Sequence, residues 1–276
     1  MKELSLKEIQ KIEFDILIHF ADFCKKNSLR FYLCGGTLLG AVRHHGFIPW
    51  DDDLDVCMPR PDYDKLMNLY GEEVSNIRLF SWERGNMTAP FAKLKRIDTR
   101  IVCRTTNSDV DTNLWIDIFP IDGLPNSQEE QKRVYRKAYF LRQFLSLTHS
   151  RIGTGRTLLR KVIKCMVRPF ACFIGGRRFS KSLEILARRI PYGATSYVGC
   201  VTWGLHGVPG EAMRREEFEK KATTEFCGVE MPIMSCWSDY LSGCYGEYMR
   251  LPDKKNRQTH QFRAYPLEAL DRSCWE

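Results

Sequence analysis

The most chemically informative part of the sequence is a run of aspartates near residue 50. Asp51, Asp53 and Asp55 occupy alternate positions, as side chains do on one face of a β-strand. The opposite face takes three apolar residues, Leu54, Val56 and Met58. Residues two apart on a strand are separated by about 6–7 Å, and carboxylates at that distance repel unless a cation neutralises them. The pattern therefore predicts a site for a hard divalent cation, Mg²⁺ or Mn²⁺.

Two glycines precede the acidic run and follow a short apolar strand. Gly35 and Gly36 open a predicted helix, where backbone N–H groups can approach a phosphate. Their spacing matches neither G-x-x-x-x-G-K-[ST] nor G-x-G-x-x-G, the common phosphate-binding motifs. An EF-hand calcium loop beginning at Asp51 is disfavoured because its sixth position, normally glycine, is Val56. The sequence thus favours a phosphate-binding turn beside a magnesium or manganese site.

A third carboxylate is expected on a neighbouring strand. Asp117 lies between the apolar residues Ile116 and Ile118, so its side chain points to the opposite face. Asp122, a few residues later, fits a turn better. Lys93 is placed to meet a diphosphate, and a solvated basic strand face is an equally good interpretation of it.

These residues fall between elements that the apolar periodicity predicts. Ser5 and Glu8 form a capping box at the start of the first helix. We predict helices at 5–27, 37–44, 61–70, 127–149, 213–221 and 236–248. We predict strands at 31–34, 54–58, 77–82, 91–97 and 114–119, and loops over 191–210. The order is mixed at first and mostly helical afterwards, which predicts an α+β fold with a helical addition in the C-terminal half.

The length of 276 residues suits one large domain or two small ones. We expect a single domain over 1–276, with a catalytic core at 28–125, a basic helical segment at 127–190 and a C-terminal part at 191–276. No apolar stretch reaches the 18 residues of a membrane span, and the first residues lack the apolar region of a secretory signal. We therefore expect a cytoplasmic protein. The eleven cysteines form no C-x-x-C pair, which argues against structural zinc and for reduced thiols.

The positive charge is concentrated in one segment. Residues 151–190 contain eleven basic residues and one acidic residue, while the net charge of the whole chain is +8. On a helix, one half takes the apolar side chains and the other half takes four basic ones, Arg160, Lys161, Lys164 and Arg168. Pro169 is expected to kink or restart this helix. The segment either packs its apolar half on the core, or binds anionic lipid, or binds nucleic acid.

Several of these motifs together resemble the LicD family. The resemblance rests on Gly35–Gly40, Arg43, Gly46, Ile48–Asp53, Asp55, Lys93, Trp115–Asp122 and Tyr245–Pro252. It extends from about residue 20 to residue 260. Members of this family have a nucleotidyltransferase-like fold and transfer phosphocholine or related phospho-alcohols from CDP-activated donors to glycans, and the animal fukutin group is related to them.

The resemblance implies a role for each residue that matches these motifs. Catalysis is implied for Asp53, Asp55 and Asp117. Binding of Mg²⁺ or Mn²⁺ is implied for Asp51, Asp53, Asp55 and Asp117. Nucleotide or phosphate binding is implied for Gly35, Gly36, Thr37, Arg43 and Lys93. Asp117 would be the third metal ligand or the base for the attacking hydroxyl.

The resemblance also implies the partners. They are a CDP-alcohol donor and a cell-envelope glycan acceptor, which is lipid-linked in one version of the hypothesis, and no nucleic acid is expected. The basic segment 151–190 matches no motif of the family, and its charge pattern alone makes an anionic membrane surface a further candidate partner. Two alternatives remain open. The same fold could move the nucleotide itself onto a small molecule or an RNA end, or the chain could be a non-catalytic binding protein of the membrane surface.

Overall fold

The structure, a computed structural model, describes residues 2–71, 76–103, 112–150, 158–253, 257 and 262–267, with the side chains of 103 and 158–164 outside this description. The helices are α1 (Leu6–Lys26), α2 (Gly35–His44), α3 (Arg60–Leu69), α4 (Gln128–His149), α5 (Leu158–Ile174), α6 (Gly176–Ala187), α7 (Arg215–Glu219) and α8 (Trp237–Tyr245). No helix among the described residues is long and apolar enough to cross a membrane.

The strands form one large mixed sheet and two small antiparallel pairs. They are β1 (Tyr32–Leu33), β2 (Asp55–Pro59), β3 (Ile77–Phe80), β4 (Ala92–Arg96), β5 (Thr99–Cys103), β6 (Leu114–Leu124), β7 (Tyr197–Gly199), β8 (Ala212–Arg214), β9 (Lys221–Phe226), β10 (Val229–Met234) and β11 (Phe262–Pro266). The large sheet has the order β1-β2-β6-β4-β3, and β7 and β8 extend it from the far end of β6. The predicted α+β fold is confirmed.

The central strand β6 organises the sheet. It pairs with β2 in parallel, with β4 antiparallel, and with β7 through its last three residues. Helix α1 packs against β6 and β4. Its buried residues Ile16, Leu17 and Phe20 share one core with Ile116 and Ile118 of β6. Burying side chains of this size contributes about 1.5–3 kcal/mol each, so α1 and β6 form a rigid base for the residues on their edges.

The structure corrects the expectation for Asp122. Strand β6 continues to Leu124 instead of ending in a turn after residue 119. Asp122 is 2% exposed and binds Arg60 through two hydrogen bonds of 2.6 and 2.8 Å. Arg60 also contacts Glu184 of α6 at 3.0 Å. The aspartate is therefore half of a buried ion pair that ties β6 to α3 and α6, because a buried carboxylate needs a charged partner.

The C-terminal half contains more strand than predicted. The helix expected at 213–221 shrinks to the five residues of α7, and β8 and β9 occupy its ends. Strands β9 and β10 form a hairpin whose two-residue turn, Cys227 and Gly228, has positive φ angles of 52° and 80°. Such a turn matches the twist of a hairpin and favours glycine. The Cys227-Gly228 pair between two alternating runs was the available sequence signal.

Helix α5 runs through Pro169 without restarting there. The chain restarts only at Gly175, whose φ angle of 88° precedes α6. The predicted restart at Pro169 is therefore wrong. The nine cysteines whose side chains the structure describes are free thiols, in agreement with the expectation of reduced cysteines.

Candidate active site

Three predicted aspartates come together where β2 and β6 run side by side. Asp55 and Asp117 are register partners on these parallel strands, and Asp53 immediately precedes β2. One carboxylate oxygen from each of the three lies within 4.8 Å of the other two. A set of three carboxylate oxygens is the donor chemistry that Mg²⁺ and Mn²⁺ prefer. The residues present therefore fit the expected metal.

Asp51 takes a different place from the one that strand alternation predicts. Strand β2 begins only at Asp55, so the preceding aspartates are not on one strand face. Asp51 instead groups with Asp52 and Asp53, again with carboxylate oxygens within 4.8 Å of one another. Asp52, which the sequence analysis did not select, is 7% exposed. Asp53 belongs to both groups and joins them into one acidic centre.

The two glycines at the start of α2 allow the helix to lie against this acidic centre. A Cβ atom on Gly35 would lie 2.6 Å from Asp55 Oδ2, and one on Gly36 would lie 2.9 Å from Asp51 Oδ2. Gly35 also has a φ angle of +53°, a backbone conformation that residues with a Cβ atom rarely adopt. Its N–H group donates to the Tyr240 hydroxyl at 3.2 Å. Glycine is thus required here by the neighbouring carboxylates.

Two polar side chains hold the acidic segment in place. The buried Thr37 hydroxyl accepts a hydrogen bond of 2.7 Å from the Asp55 N–H group. The Gln10 amide of α1 donates to the Asp51 carbonyl at 2.9 Å. Thr37 therefore positions the acidic segment, because its hydroxyl is hydrogen-bonded to the backbone of β2.

Lys93 faces Asp117 across the sheet. The two residues are register partners on β4 and β6, and Lys93 Nζ lies 3.1 Å from Asp117 Oδ1. The ammonium group also lies 4.0 Å from the centre of the Trp115 ring. Lys93 is 5% exposed, so the alternative of a solvated strand face is wrong. The ion pair places one positive charge directly against the acidic centre.

Arg43 lies in the last turn of α2, while Gly35 is its first residue. Eight residues of helix separate them by about 12 Å along the axis. The Arg43 guanidinium donates to the Tyr248 carbonyl at 2.7 Å and to His44 Nε2 at 3.0 Å. Among the predicted phosphate-binding residues on α2, Arg43 is therefore the most distant from the start of the helix.

A buried glutamate on α1 adds to the acidic centre and was missed by the sequence analysis. Glu13 is 1% exposed, and neither carboxylate oxygen has a hydrogen-bond partner among the described residues. Burial raises its pKa well above the ordinary value, and repulsion from Asp53 and Asp52 raises this pKa further. In the sequence, Glu13 could have been recognised as a carboxylate on the apolar stripe of α1, between Ile9 and Ile16.

A cavity of about 180 Å³ opens beside Asp53, Asp55 and Asp117. Its other wall comes from the C-terminal half of the chain, including Trp203 and Glu211. Burial raises the pKa of Glu211 to about 7. This wall was not predicted as part of the site, because its residues are far from the aspartates in sequence and only Tyr245 among them belongs to a motif of the family resemblance.

The chain matches the family model described as "LicD/FKTN/FKRP, nucleotidyltransferase domain" over residues 28–146. It is 30% identical over 286 aligned residues to the lipopolysaccharide cholinephosphotransferase LicD of Haemophilus influenzae, covering 97% of this chain and all of that protein. A shorter stretch of 59 residues is 41% identical to the human ribitol 5-phosphate transferase FKRP, covering 20% of this chain and 12% of that protein. With this similarity along nearly its whole length, the chain belongs to the LicD family.

Proposed function

We propose that this protein transfers a phospho-alcohol from a CDP-activated donor to a hydroxyl group of a cell-envelope glycan and releases CMP. The observation that carries the proposal is the grouping of Asp53, Asp55 and Asp117 within 4.8 Å at the start of β2. Two relatives named for phosphocholine and ribitol 5-phosphate transfer support the reaction class. The transferred group differs between the names of these two relatives, so we propose the class of reaction, phospho-alcohol transfer, and no particular head group.

In the proposed step, the acceptor oxygen forms a bond to the phosphorus that carries the alcohol. The bond from this phosphorus to the bridging oxygen of the diphosphate breaks, and CMP leaves with that oxygen and its electron pair. Mg²⁺ or Mn²⁺ ions held by the two groups of aspartates would neutralise the diphosphate charge, with Asp51 in one group, Asp55 and Asp117 in the other and Asp53 in both. The backbone of Gly36 and the side chain of Lys93 would face the same phosphates.

Asp117 must be ionised to serve as a ligand or as the base that accepts the proton of the attacking hydroxyl. Lys93 Nζ at 3.1 Å favours that ionised form. Thr37 and Gln10 keep the acidic segment in position through backbone hydrogen bonds. The acceptor proton therefore has a defined destination, the Asp117 carboxylate, in the version of the mechanism where Asp117 is the base.

The test is release of CMP from CDP-choline, CDP-ribitol and CDP-glycerol in the presence of Mg²⁺ and a glycan acceptor. Release of CMP from at least one donor, dependent on the metal, supports the proposal. The alternative, nucleotide transfer, predicts pyrophosphate release from CTP and no CMP from any CDP-alcohol, and this result would contradict it. A non-catalytic binding protein would release neither product.

We also propose that α5 rests on an anionic membrane surface. Met166, Phe170 and Phe173 are 75%, 61% and 87% exposed, and their spacing places them in one stripe of the helix. Ala171 is buried against the core. The interpretation in which the apolar half of α5 packs inward therefore fails for these three side chains. An exposed apolar stripe in a strongly basic segment is typical of helices that lie in the membrane interface.

The charged half of α5 is only partly described. Arg160, Lys161 and Lys164 have side chains outside the described residues, while Arg168 donates to the Ser150 carbonyl at 2.9 Å. Each basic residue near an anionic surface contributes about 1 kcal/mol of attraction. Attachment at the inner face of the membrane would bring the active site to a lipid-linked glycan acceptor.

A further inference from the structure

A basic groove lies on the surface between the turn after β3 and the start of α6. Its volume is about 230 Å³, and the described residues that line it are Trp82, Arg177, Arg178 and Lys181. The tryptophan is half-buried and the three basic residues are exposed. The groove shares no described lining residue with the cavity beside the aspartates. It is therefore a second place where a ligand could bind.

The positive charge of the basic groove is not neutralised within the described part of the chain. There, no ion pair joins Arg177, Arg178 or Lys181 to a carboxylate. Lys181 lies four positions after the first arginine and three after the second, so these like charges are neighbours on one helix face. Such neighbours repel each other unless an opposite charge lies close to them. The groove therefore favours an anionic ligand.

The acidic residues around the basic groove already have other partners. Glu184, on the same helix, accepts a hydrogen bond of 3.0 Å from the buried Arg60. Glu83, which follows the tryptophan, accepts a hydrogen bond of 3.5 Å from the Tyr63 hydroxyl. Both carboxylates are thus engaged by groups outside the groove, and its three cations remain available to a ligand.

The turn that carries the tryptophan is fixed before any ligand binds. The Asn86 side chain accepts a hydrogen bond of 2.8 Å from the Ser81 N–H group, and the Gly85 N–H group donates to the Trp82 carbonyl at 2.9 Å. Arg177 donates to the Gly85 carbonyl at 2.6 Å, and its guanidinium has further N–H donors for a ligand. A site held in this way loses little freedom on binding.

The basic groove lies within reach of the acidic centre. One row of register partners crosses four adjacent strands: Asp55, Asp117, Lys93 and Phe80. Neighbouring strands are about 4.8 Å apart, which places Phe80 about 10 Å from Asp117. Trp82 follows two residues later, so its Cα atom is within about 18 Å of that of Asp117. A short oligosaccharide can span this distance.

We propose that the basic groove binds an anionic sugar unit of the acceptor glycan, one that carries a phosphate or a carboxylate group. The inference rests on the proposed transfer to a glycan. The indole of Trp82 offers an apolar face to the sugar ring and keeps a polar edge. The arginines can bind phosphate or carboxylate oxygens in pairs, and Lys181 adds a point charge. Binding there would direct another part of the glycan to Asp117.

The experiment measures binding by ligand-observed NMR titration with four probes: glucose 6-phosphate, glucuronic acid, glucose and CDP. We expect the wild-type protein to bind at least one of the two anionic sugars more tightly than glucose, and the preferred one identifies phosphate or carboxylate. The double variant Arg178→Gln/Lys181→Gln should bind that sugar about tenfold more weakly. Its affinity for CDP should be unchanged. Trp82→Leu should also weaken the sugar, and Trp82→Phe should restore most of the affinity.

A matched control tests whether any loss of surface charge has the same effect. The double variant Lys132→Gln/Arg136→Gln removes two positive charges from exposed positions of α4 and should bind like the wild type. Equal affinity of the wild type and Arg178→Gln/Lys181→Gln for both anionic sugars would overturn the inference. An equal loss of CDP binding would assign the groove to the donor and overturn it too. The same holds if this variant loses binding only to vesicles of anionic phospholipid, because the groove would then be part of the membrane surface.

The outcome is distinguishable from failure of the proposed function. CMP release from a CDP-alcohol by a wild-type protein that binds neither anionic sugar would retain the transferase and overturn the sugar site. Anionic sugar binding that Arg178→Gln/Lys181→Gln weakens, without CMP release from any donor, would support the sugar site and contradict the transferase.

Discussion

Asp55 and Asp117 face each other on adjacent parallel strands, and Lys93 is the partner of Asp117 on its other side. The central strand thus holds one carboxylate between a second carboxylate and an ammonium group at 3.1 Å. Like charges on neighbouring strands are unfavourable by themselves. The lysine compensates part of this repulsion, and the proposed metal would compensate the rest.

Asp53 is the residue shared by both groups of aspartates, so its removal should have the largest effect on activity. We expect Asp53→Asn to reduce CMP release about 10²-fold or more, because charge neutralisation by a metal supplies several kcal/mol. The melting temperature should stay the same or rise, since one of several crowded charges is removed. Asp15→Asn, on the exposed face of α1, is the matched control. Near wild-type turnover of Asp53→Asn would exclude this metal site.

Asp117 and Asp122 lie on the same strand and should respond differently. We expect Asp117→Asn to abolish turnover while CDP still binds. Asp122→Asn should lower the free energy of unfolding by about 3–5 kcal/mol, because it removes the negative charge that pairs with the buried Arg60 and leaves one acceptor oxygen where there were two. Steady-state kinetics and urea unfolding of both variants test this. If Asp122→Asn abolished turnover and Asp117→Asn only lowered the free energy of unfolding, Asp122 would be the catalytic carboxylate.

Replacing Lys93 should make the stability of the protein depend more strongly on bound metal. Lys93→Met removes the buried charge that balances Asp117, so we expect a loss of about 3 kcal/mol without metal. Added Mg²⁺ should raise the melting temperature of this variant more than that of the wild type, since the ion replaces the missing positive charge. Lys132→Met, on the exposed surface of α4, serves as control. Identical responses to Mg²⁺ in all three proteins would disprove the link.

Glu211 should make stability depend on pH. Its pKa rises from 4.5 to about 7 in the folded protein, so the folded state holds a proton that the unfolded chain releases above pH 4.5. The stability from this proton is present below pH 4.5 and is lost as the pH rises through 7.

Glu211→Gln cannot ionise, and the titratable groups that interact electrostatically with Glu211 are unchanged; they include Arg142, Tyr135, Cys200, Tyr240 and Cys244. We therefore expect the variant to gain about 3 kcal/mol relative to the wild type between pH 4.5 and pH 8. Urea unfolding at a series of pH values measures this difference. Parallel stability curves for the two proteins would show that Glu211 keeps an ordinary pKa.

The exposed stripe of α5 should bind vesicles. We expect binding to anionic vesicles at low salt and its loss at high salt. Replacing both Phe170 and Phe173 by Ser should release the protein without loss of fold, because these side chains are exposed. Replacing the basic residues by Gln should do the same; they are Arg160, Lys161, Lys164 and Arg168. Turnover of a short soluble acceptor should remain.

Leu69→Ser, on an exposed position of α3, is the control for the loss of an apolar surface side chain. Co-sedimentation with anionic and neutral vesicles is the measurement. If the wild-type protein stays in solution with anionic vesicles at low salt, the proposed membrane surface is wrong.

Local patterns in the sequence determined the elements on which the acidic centre stands. The capping box at Ser5 begins α1 as predicted, and the apolar alternation around Asp117 predicted strand β6. The glycines and aspartates between residues 35 and 55 carried the family resemblance that the comparisons confirmed, together with Lys93 and the motifs at Trp115–Asp122 and Tyr245–Pro252. These features are readable because they depend on neighbours within a few residues, such as caps, turns and period-two alternation.

Only the tertiary structure decided which distant residues meet. The register between β2 and β6 pairs Asp55 with Asp117 across 62 positions, and a buried ion pair, not a turn, explains Asp122. The cavity wall that includes Trp203 and Glu211 faces the acidic centre because β7 and β8 extend the sheet from β6. Strand pairing and burial depend on the packing of the whole chain, so no local pattern could assign them.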